Sequence, residues 1–188
     1  MAKIYLFRHG QSEFNLKKIF TGWVDAKLTD LGIEQAKALG EMLKDKRIDI
    51  AYVSRLSRAI NTLNEVLKFH PECKQVITDN RMIERSYGSL AGKSHEETII
   101  KHGREQFNKW HRGWNDRPPE GESFADVEIR VQKFINDLKI KYTNQNIGIA
   151  ISSHGNSIRL FRKIMEEKTS QEASSLTIPY DKYFEYEI

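Results

Sequence analysis

Two short segments of this 188-residue chain share one grammar: an apolar run, then His-Gly, then a small polar residue opening toward a helix. They are Phe7-Arg8-His9-Gly10-Gln11-Ser12 and Ser152-Ser153-His154-Gly155-Asn156-Ser157. A neutral imidazole can attack phosphorus, and a guanidinium can pair two phosphoryl oxygens while staying charged at any working pH. Arg8 abuts His9, and Arg58 follows Arg55 at helical spacing in Ser54-Arg55-Leu56-Ser57-Arg58, at the mouth of a strand-to-helix connection. Glu84 is the natural acid. An attacking imidazole, cations on the equatorial oxygens and a proton donor for the leaving alcohol are what phosphoryl transfer through a histidine requires. The glycines permit tight turns, and a helix starting near Asn156 would aim free N–H groups and the positive end of its dipole at an anion.

Each of these residues also has a plainer use. A lone histidine after a strand is more often a structural hydrogen-bonder, and Arg55 with Arg58 could form a solvated face. The repetition of the His-Gly context, with an arginine beside it, favours chemistry. Trp23, Trp110 and Trp114 read as packing or pocket walls, and His70 and His102 as surface residues. His95, His102 and His111 are spaced by seven and nine, which matches no usual ligand pattern, so no metal is expected.

The elements that must position these residues follow from periodicity. Residues 4–7 form a short β-prone run, 30–45 carry apolar residues at helical spacing behind Thr29 or Asp30 as cap, and 48–53 read as a second strand. Leu56, Ile60, Leu63 and Leu67 mark a helix closed by His70-Pro71, and 75–78 a third strand. The stretch 81–121 is a lid-like excursion with a helix near 94–112. Ser123-x-x-Asp126 caps a long helix ending near Thr143; 147–152 is apolar enough for a strand covered on both faces; a helix and a strand near 182–187 follow. The β-α-β-α-β alternation predicts an α/β fold with a mostly parallel sheet, in one domain over 1–188. In such a sheet the carboxyl ends of the strands line one rim, where ligands bind, so His9 and His154 can face one pocket although 145 positions separate them.

Composition bounds the rest. The chain has 30 basic against 26 acidic residues, interspersed, for a net charge of +4. That is too mild a balance for a nucleic-acid binder, and no apolar run is long enough to span a membrane. The single Cys73 forms no internal disulfide, and the N-terminus reads as a strand rather than a leader, so cytoplasmic placement is the expectation.

Leu6-Phe7-Arg8-His9-Gly10-Gln11-Ser12 and Ser153-His154-Gly155-Asn156-Ser157 resemble the two signatures of the histidine phosphatase superfamily. Between them, Phe20-Thr21-Gly22-Trp23-Val24-Asp25, Leu28-Thr29-x-x-Gly32, Ser54-x-Leu56-x-Arg58-Ala59-x-x-Thr62 and Glu84-Arg85-x-Tyr87-Gly88-x-Leu90-x-Gly92 resemble its cofactor-dependent phosphoglycerate mutase branch. The resemblance spans nearly the whole chain. It implies a three-layer α/β/α fold and a phosphohistidine on His9, primed by 2,3-bisphosphoglycerate without metal, that exchanges the phosphoryl group between the 2- and 3-positions of glycerate. On matching positions, Arg8, Arg58 and His154 would hold that group, with Asn15 and the Gly155 amide assisting, and Glu84 would carry the proton. Thr21, Gly22, Tyr87, Arg112 and Asn156 would line the substrate end.

Three departures bear on the branch. His95 stands where the mutases usually carry a substrate-binding lysine, with Lys93 nearby; His111-Arg112 replaces the usual paired arginines; and Pro118-Pro119-Glu120-Gly121-Glu122-Ser123 runs directly into the long helix where the larger mutases carry an insertion. This compact form also resembles the superfamily's phosphatases. The expected activity is therefore the mutase, the alternative a phosphatase of small phosphate esters, and the minor alternative a non-enzymatic phosphoanion-binding module. Water discriminates the first two, and Trp23, Trp114 and the 81–121 excursion are the candidates for excluding it. The partner is a small phosphorylated substrate; monomer and homo-oligomer stay open.

Overall fold

The computed structural model describes residues 1–188. Five strands, β1 (Lys3–Arg8), β2 (Ile50–Val53), β3 (Gln75–Thr78), β4 (Gly148–Ser153) and β5 (Tyr183–Glu187), form one sheet in the order β3-β2-β4-β1-β5. β1 through β4 are mutually parallel, and β5 runs antiparallel to β1 along the edge. Eight helices accompany them: α1 (Glu13–Leu16), α2 (Asp30–Leu43), α3 (Ser57–Leu67), α4 (His95–His102), α5 (Arg104–Arg112), α6 (Phe124–Tyr142), α7 (Gly155–Met165) and α8 (Ser170–Ser175).

The central strands are buried on both faces, and their period of two divides the core into layers. Ile4 and Leu6 of β1, Tyr52 of β2, and Ile149 and Ile151 of β4 pack with Val127, Val131, Phe134 and Leu138 of α6 and Ile158, Leu160 and Phe161 of α7. The alternate residues Tyr5, Phe7, Ala51, Val53 and Ala150 pack against Leu39 and Leu43 of α2 and Ala59, Leu63 and Val66 of α3. The result is the expected α/β/α sandwich. Each fully buried Leu, Ile or Phe contributes on the order of 2 kcal/mol of transfer free energy, so a register slip of one residue would be prohibitive.

Helix starts follow local chemistry. The Thr29 hydroxyl accepts from Gly32 N, and Ser123 and Asp126 form a reciprocal capping box at the head of α6. The helix expected over 94–112 is two helices, α4 and α5, divided at Gly103. The excursion containing them is pinned from beneath by fully buried Arg85, which donates to Glu122 O at 2.6 Å, Trp110 O at 2.8 Å and Asp116 O at 3.1 Å. Phe20, Tyr87, Leu90 and Phe107 give it a small core of its own.

His70 is buried, contrary to the expectation of a surface residue. Its Nδ1 meets Glu72 Oε1 at 2.9 Å, and the same oxygen accepts from Ile48 N, so the end of α3 is stitched to the approach to β2. No helix is long and apolar enough to cross a membrane.

Candidate active site

Strand register, not sequence distance, brings the two histidines together. Arg8 pairs with Ser153 across β1 and β4, and His9 N donates to Ser153 O at 3.0 Å, so His9 and His154 leave adjacent strands at the same level. Their rings lie 5.0 Å apart between centroids. From this point the chain after β1 leads to α2 on one face of the sheet, and the chain after β4 enters α7 on the other, which opens a crevice at the carboxyl rim. Gly10 is required in the first turn: a Cβ there would stand 2.1 Å from the Gly32 carbonyl oxygen, and Gly10 N donates to Thr62 Oγ1 at 3.0 Å.

His9 is held in one tautomer. Its Nδ1 lies 2.7 Å from Gly10 O, a group that only accepts, so Nδ1 carries the hydrogen. Arg58 Nε donates to Nε2 at 3.2 Å, so Nε2 carries the lone pair. Burial, followed by the charges of Arg58 and Arg8, drives the imidazole well below its ordinary value, and it stands neutral with its lone-pair nitrogen between cations. His154 is likewise held neutral, first by burial and then by Arg58; its Nε2 meets Ser54 Oγ at 2.7 Å, and Nδ1 has no partner within the protein.

Arg58 is fully buried and aimed by its own backbone contacts: Nη1 donates to Val24 O and Nη2 to Gly22 O, each at 2.8 Å. Burial lowers it to about 10, which leaves it charged at neutral pH. Arg8 donates through Nη1 to Ile178 O at 2.9 Å and stacks on Tyr180 at 4.0 Å, while its buried Nε has no protein partner. Arg8 Nε and His154 Nδ1 thus keep hydrogen-bonding capacity beside His9 for oxygens of an anion.

Glu84 is nearly buried. Its Oε1 accepts from Arg85 N at 2.8 Å and Asn156 N at 3.1 Å, which fixes the carboxyl and leaves Oε2 without a protein hydrogen bond. Asn156 Nδ2 donates to Tyr87 Oη at 3.2 Å, and Asn156 Oδ1 accepts from Arg159 Nη1 at 3.0 Å.

A pocket of about 210 Å³ opens above this floor. Among the sequence-predicted residues, Arg8, Asn15, Thr21, Gly22, Glu84, Tyr87, His111, Arg112, Gly155 and Asn156 line it, with His95; His9, Arg58 and His154 lie beneath. Asn15 Oδ1 is engaged by Ser12 in the capping box of α1. Arg55 does not enter the pocket and instead lies over exposed Trp23, 5.4 Å from the ring centre. Lys93 is exposed elsewhere, and Lys18 supplies a rim cation instead. Neither Trp23 nor Trp114 lines the pocket as a lid would: Trp23 Nε1 donates to Glu84 O at 2.7 Å, and Trp114 stacks on Phe124 at 5.9 Å.

Sequence reasoning missed Arg159, Tyr180 and Lys18. Arg159 was legible in principle, since it follows His154 by five positions on a helix whose start faces the pocket. Tyr180 and Lys18 come from irregular segments without any local signal.

Several comparisons bear on this geometry. The model of the histidine phosphatase superfamily (branch 1) matches residues 4–186. A protein of Allorhizobium ampelinum named 2,3-bisphosphoglycerate-dependent phosphoglycerate mutase is 36% identical over 178 residues, covering 93% of this chain and 84% of its own. The alpha-ribazole phosphatase of Shigella flexneri superposes with a TM-score of 0.84 at 26% identity, over 99% of this chain and 90% of its own. YhfR of Bacillus stearothermophilus shares the fold at a TM-score of 0.89 and 24% identity, over 100% of this chain and 92% of its own.

Proposed function

The chain belongs to the histidine phosphatase superfamily, branch 1, and from that membership we propose that it is a phosphoglycerate mutase interconverting 3- and 2-phosphoglycerate. The observation that carries this reading is the distribution of charge in the pocket. Arg8 and Arg58 flank the His9 imidazole, while Lys18 and Arg112 act on the His95 and His111 side, with Arg159 within reach of both groups. A substrate with a phosphoryl group at one end and a carboxylate or second phosphate at the other fits such a site. The relatives at 34–37% identity whose names specify 2,3-bisphosphoglycerate-dependent phosphoglycerate mutase support the same reading.

In this account His9 enters the cycle phosphorylated on Nε2: the free hydroxyl of 3-phosphoglycerate attacks that phosphorus, the P–N bond to His9 breaks, and Glu84 takes the hydroxyl proton. Arg8, Arg58 and His154 hold the equatorial oxygens. His9 Nε2, free again, then attacks the phosphorus at the 3-position, the P–O bond breaks, Glu84 returns its proton to the departing alkoxide, and 2-phosphoglycerate leaves with His9 phosphorylated as at the start. The free hydrogen-bonding capacity of Arg8 Nε and His154 Nδ1 fits a phosphoryl group. 2,3-Bisphosphoglycerate supplies the phosphoryl group that primes His9. The steps call on no metal, and the reaction belongs to glycolysis and gluconeogenesis in a cytoplasmic setting.

A phosphatase is the second reading, favoured by the likeness to an alpha-ribazole phosphatase and by the direct run of Pro118–Ser123 into α6. Turnover of 3-phosphoglycerate with and without catalytic 2,3-bisphosphoglycerate separates the two. The mutase reading expects bisphosphate-dependent formation of 2-phosphoglycerate with little free phosphate, abolished in His9→Ala. Free phosphate without isomer would replace it by the phosphatase.

A further inference from the structure

His95, the first residue of α4, and His111, in the last turn of α5, converge on the pocket wall with their ring centres 5.1 Å apart. Phe20 lies 4.4 Å from the His95 ring, and Phe107 lies 5.1 Å from that of His111. Both rings are thus set among aromatic faces, and no protein hydrogen bond raises either one. The charged groups that face the pair are cations from every side: Lys18 after α1, Arg85 beneath the excursion, Arg112 on α5 and Arg159 on α7. Glu84 is the only carboxylate lining the pocket, and it is not among the groups that act on either ring.

We propose that an anionic group at the substrate's far end, seated against His95 and His111, binds together with a proton. This rests on the reading of the pocket as a phosphate-ester site and adds how it selects among esters. Without a ligand, burial and then Arg112 keep both rings neutral, His111 down to about 3. An anion placed within about 4 Å reverses the local field by enough to carry an imidazole back toward its ordinary 6.5. His95 is the better proton acceptor of the two, because burial weighs less on it and fewer cations act on it, so it stands closer to its ordinary value. An ester whose far end is uncharged would bind without the proton and gain nothing from the pair. The subsite thus favours a distal carboxylate most strongly in mildly acid solution.

The test is calorimetric. The His9→Ala chain, which cannot turn over, is titrated with 3-phosphoglycerate and with glycerol 3-phosphate in buffers of different ionisation enthalpy at about pH 6 and pH 8. The two ligands differ at the far end by a carboxylate, so protonation of the phosphoryl site cancels between them. More protons should be taken up with 3-phosphoglycerate at the lower pH, with the excess fading at the higher. The affinity advantage of 3-phosphoglycerate should shrink by roughly fourfold over that interval. His95→Gln should abolish both effects. In the otherwise unsubstituted protein, the His95 ring signals in a labelled sample should move toward the imidazolium position when 3-phosphoglycerate binds. Equal uptake for both ligands, a difference that survives His95→Gln, unmoved ring signals, or failure of 3-phosphoglycerate to bind where glycerol 3-phosphate does would each overturn the proposal. Absence of isomerase activity would leave these readings unchanged and would count only against the mutase.

Discussion

The two ring nitrogens of His9 are not equivalent, and the Gly10 carbonyl on Nδ1 decides which nitrogen keeps the lone pair that the proposed reaction uses. In the proposed reaction Glu84 carries the proton, and since its Oε1 is tied to two backbone N–H groups, Oε2 is the oxygen left to do so. Glu84→Gln keeps an acceptor for those N–H groups and removes the acid. Its kcat on 3-phosphoglycerate should fall by about 10²- to 10⁴-fold. On 4-nitrophenyl phosphate, whose phenolate leaves without a proton, the loss should stay below about tenfold. Equal losses on both substrates, in steady-state assays, would remove Glu84 from the proton's path. At this scale the sequence was most informative for residues in strand-to-turn contexts, since His9 and His154 each follow an apolar strand and each precede Gly. Arg55 and Arg58 looked equivalent on a helix, yet only Arg58 turns under the pocket, because Gly22 O and Val24 O from a distant loop draw it there.

The elements differ in how their boundaries are written. α2 and α6 carry side-chain caps at Thr29 and Ser123, so their starts were visible in the sequence, and α3 could be placed by its apolar period alone. The division of α4 from α5 was not, because Gly103 interrupts an otherwise continuous polar and apolar pattern with one residue. Gly103 has φ 81 and ψ 157, a region that residues with a Cβ avoid, while no atom within 4 Å would meet a Cβ there. Gly103→Ala should therefore cost about 1–3 kcal/mol through the backbone alone. Urea unfolding should show that loss with an unchanged m-value. Because α4 and α5 carry His95 and His111, the same variant should also weaken substrate binding more than it lowers turnover. A stability unchanged within error would mean that the two helices can rejoin without strain.

The whole molecule concentrates its neutral histidines in one place, and that makes its stability depend on pH. His9, His154 and His111 titrate below 6.5 in the folded chain and near 6.5 once unfolded. Below that value the unfolded chain binds more protons, so the stability they contribute is complete above about pH 6.5 and is lost as pH falls. The loss approaches ~1.4 kcal/mol per pH unit for each histidine. Carboxylates that add to acid sensitivity do so later: Glu166 and Asp126 lie at about 2, held by Arg162, Tyr186 and Lys168 and by Arg117 and Ser123 respectively, and their unfolded values are near 4.5 and 3.8. Unfolding free energy should thus drop steeply between about pH 6.5 and 5, and urea titrations across that range check it; a flat profile would show that these imidazoles stay accessible to protons. The fold class and the sheet were readable from hydrophobic period because layers are built from local patterns. The pocket walls from Lys18, Arg159 and Tyr180 were not, because only tertiary packing assigns them a side.

The claim that His9 carries the phosphoryl group can be tested most directly by mass spectrometry of the protein after brief exposure to 2,3-bisphosphoglycerate under alkaline quench. A single acid-labile phosphoryl group on the peptide containing His9, discharged at once by added 3-phosphoglycerate and slowly by water, is the result this account predicts. A phosphoryl group on another residue, or none while the isomerisation still proceeds, would contradict it.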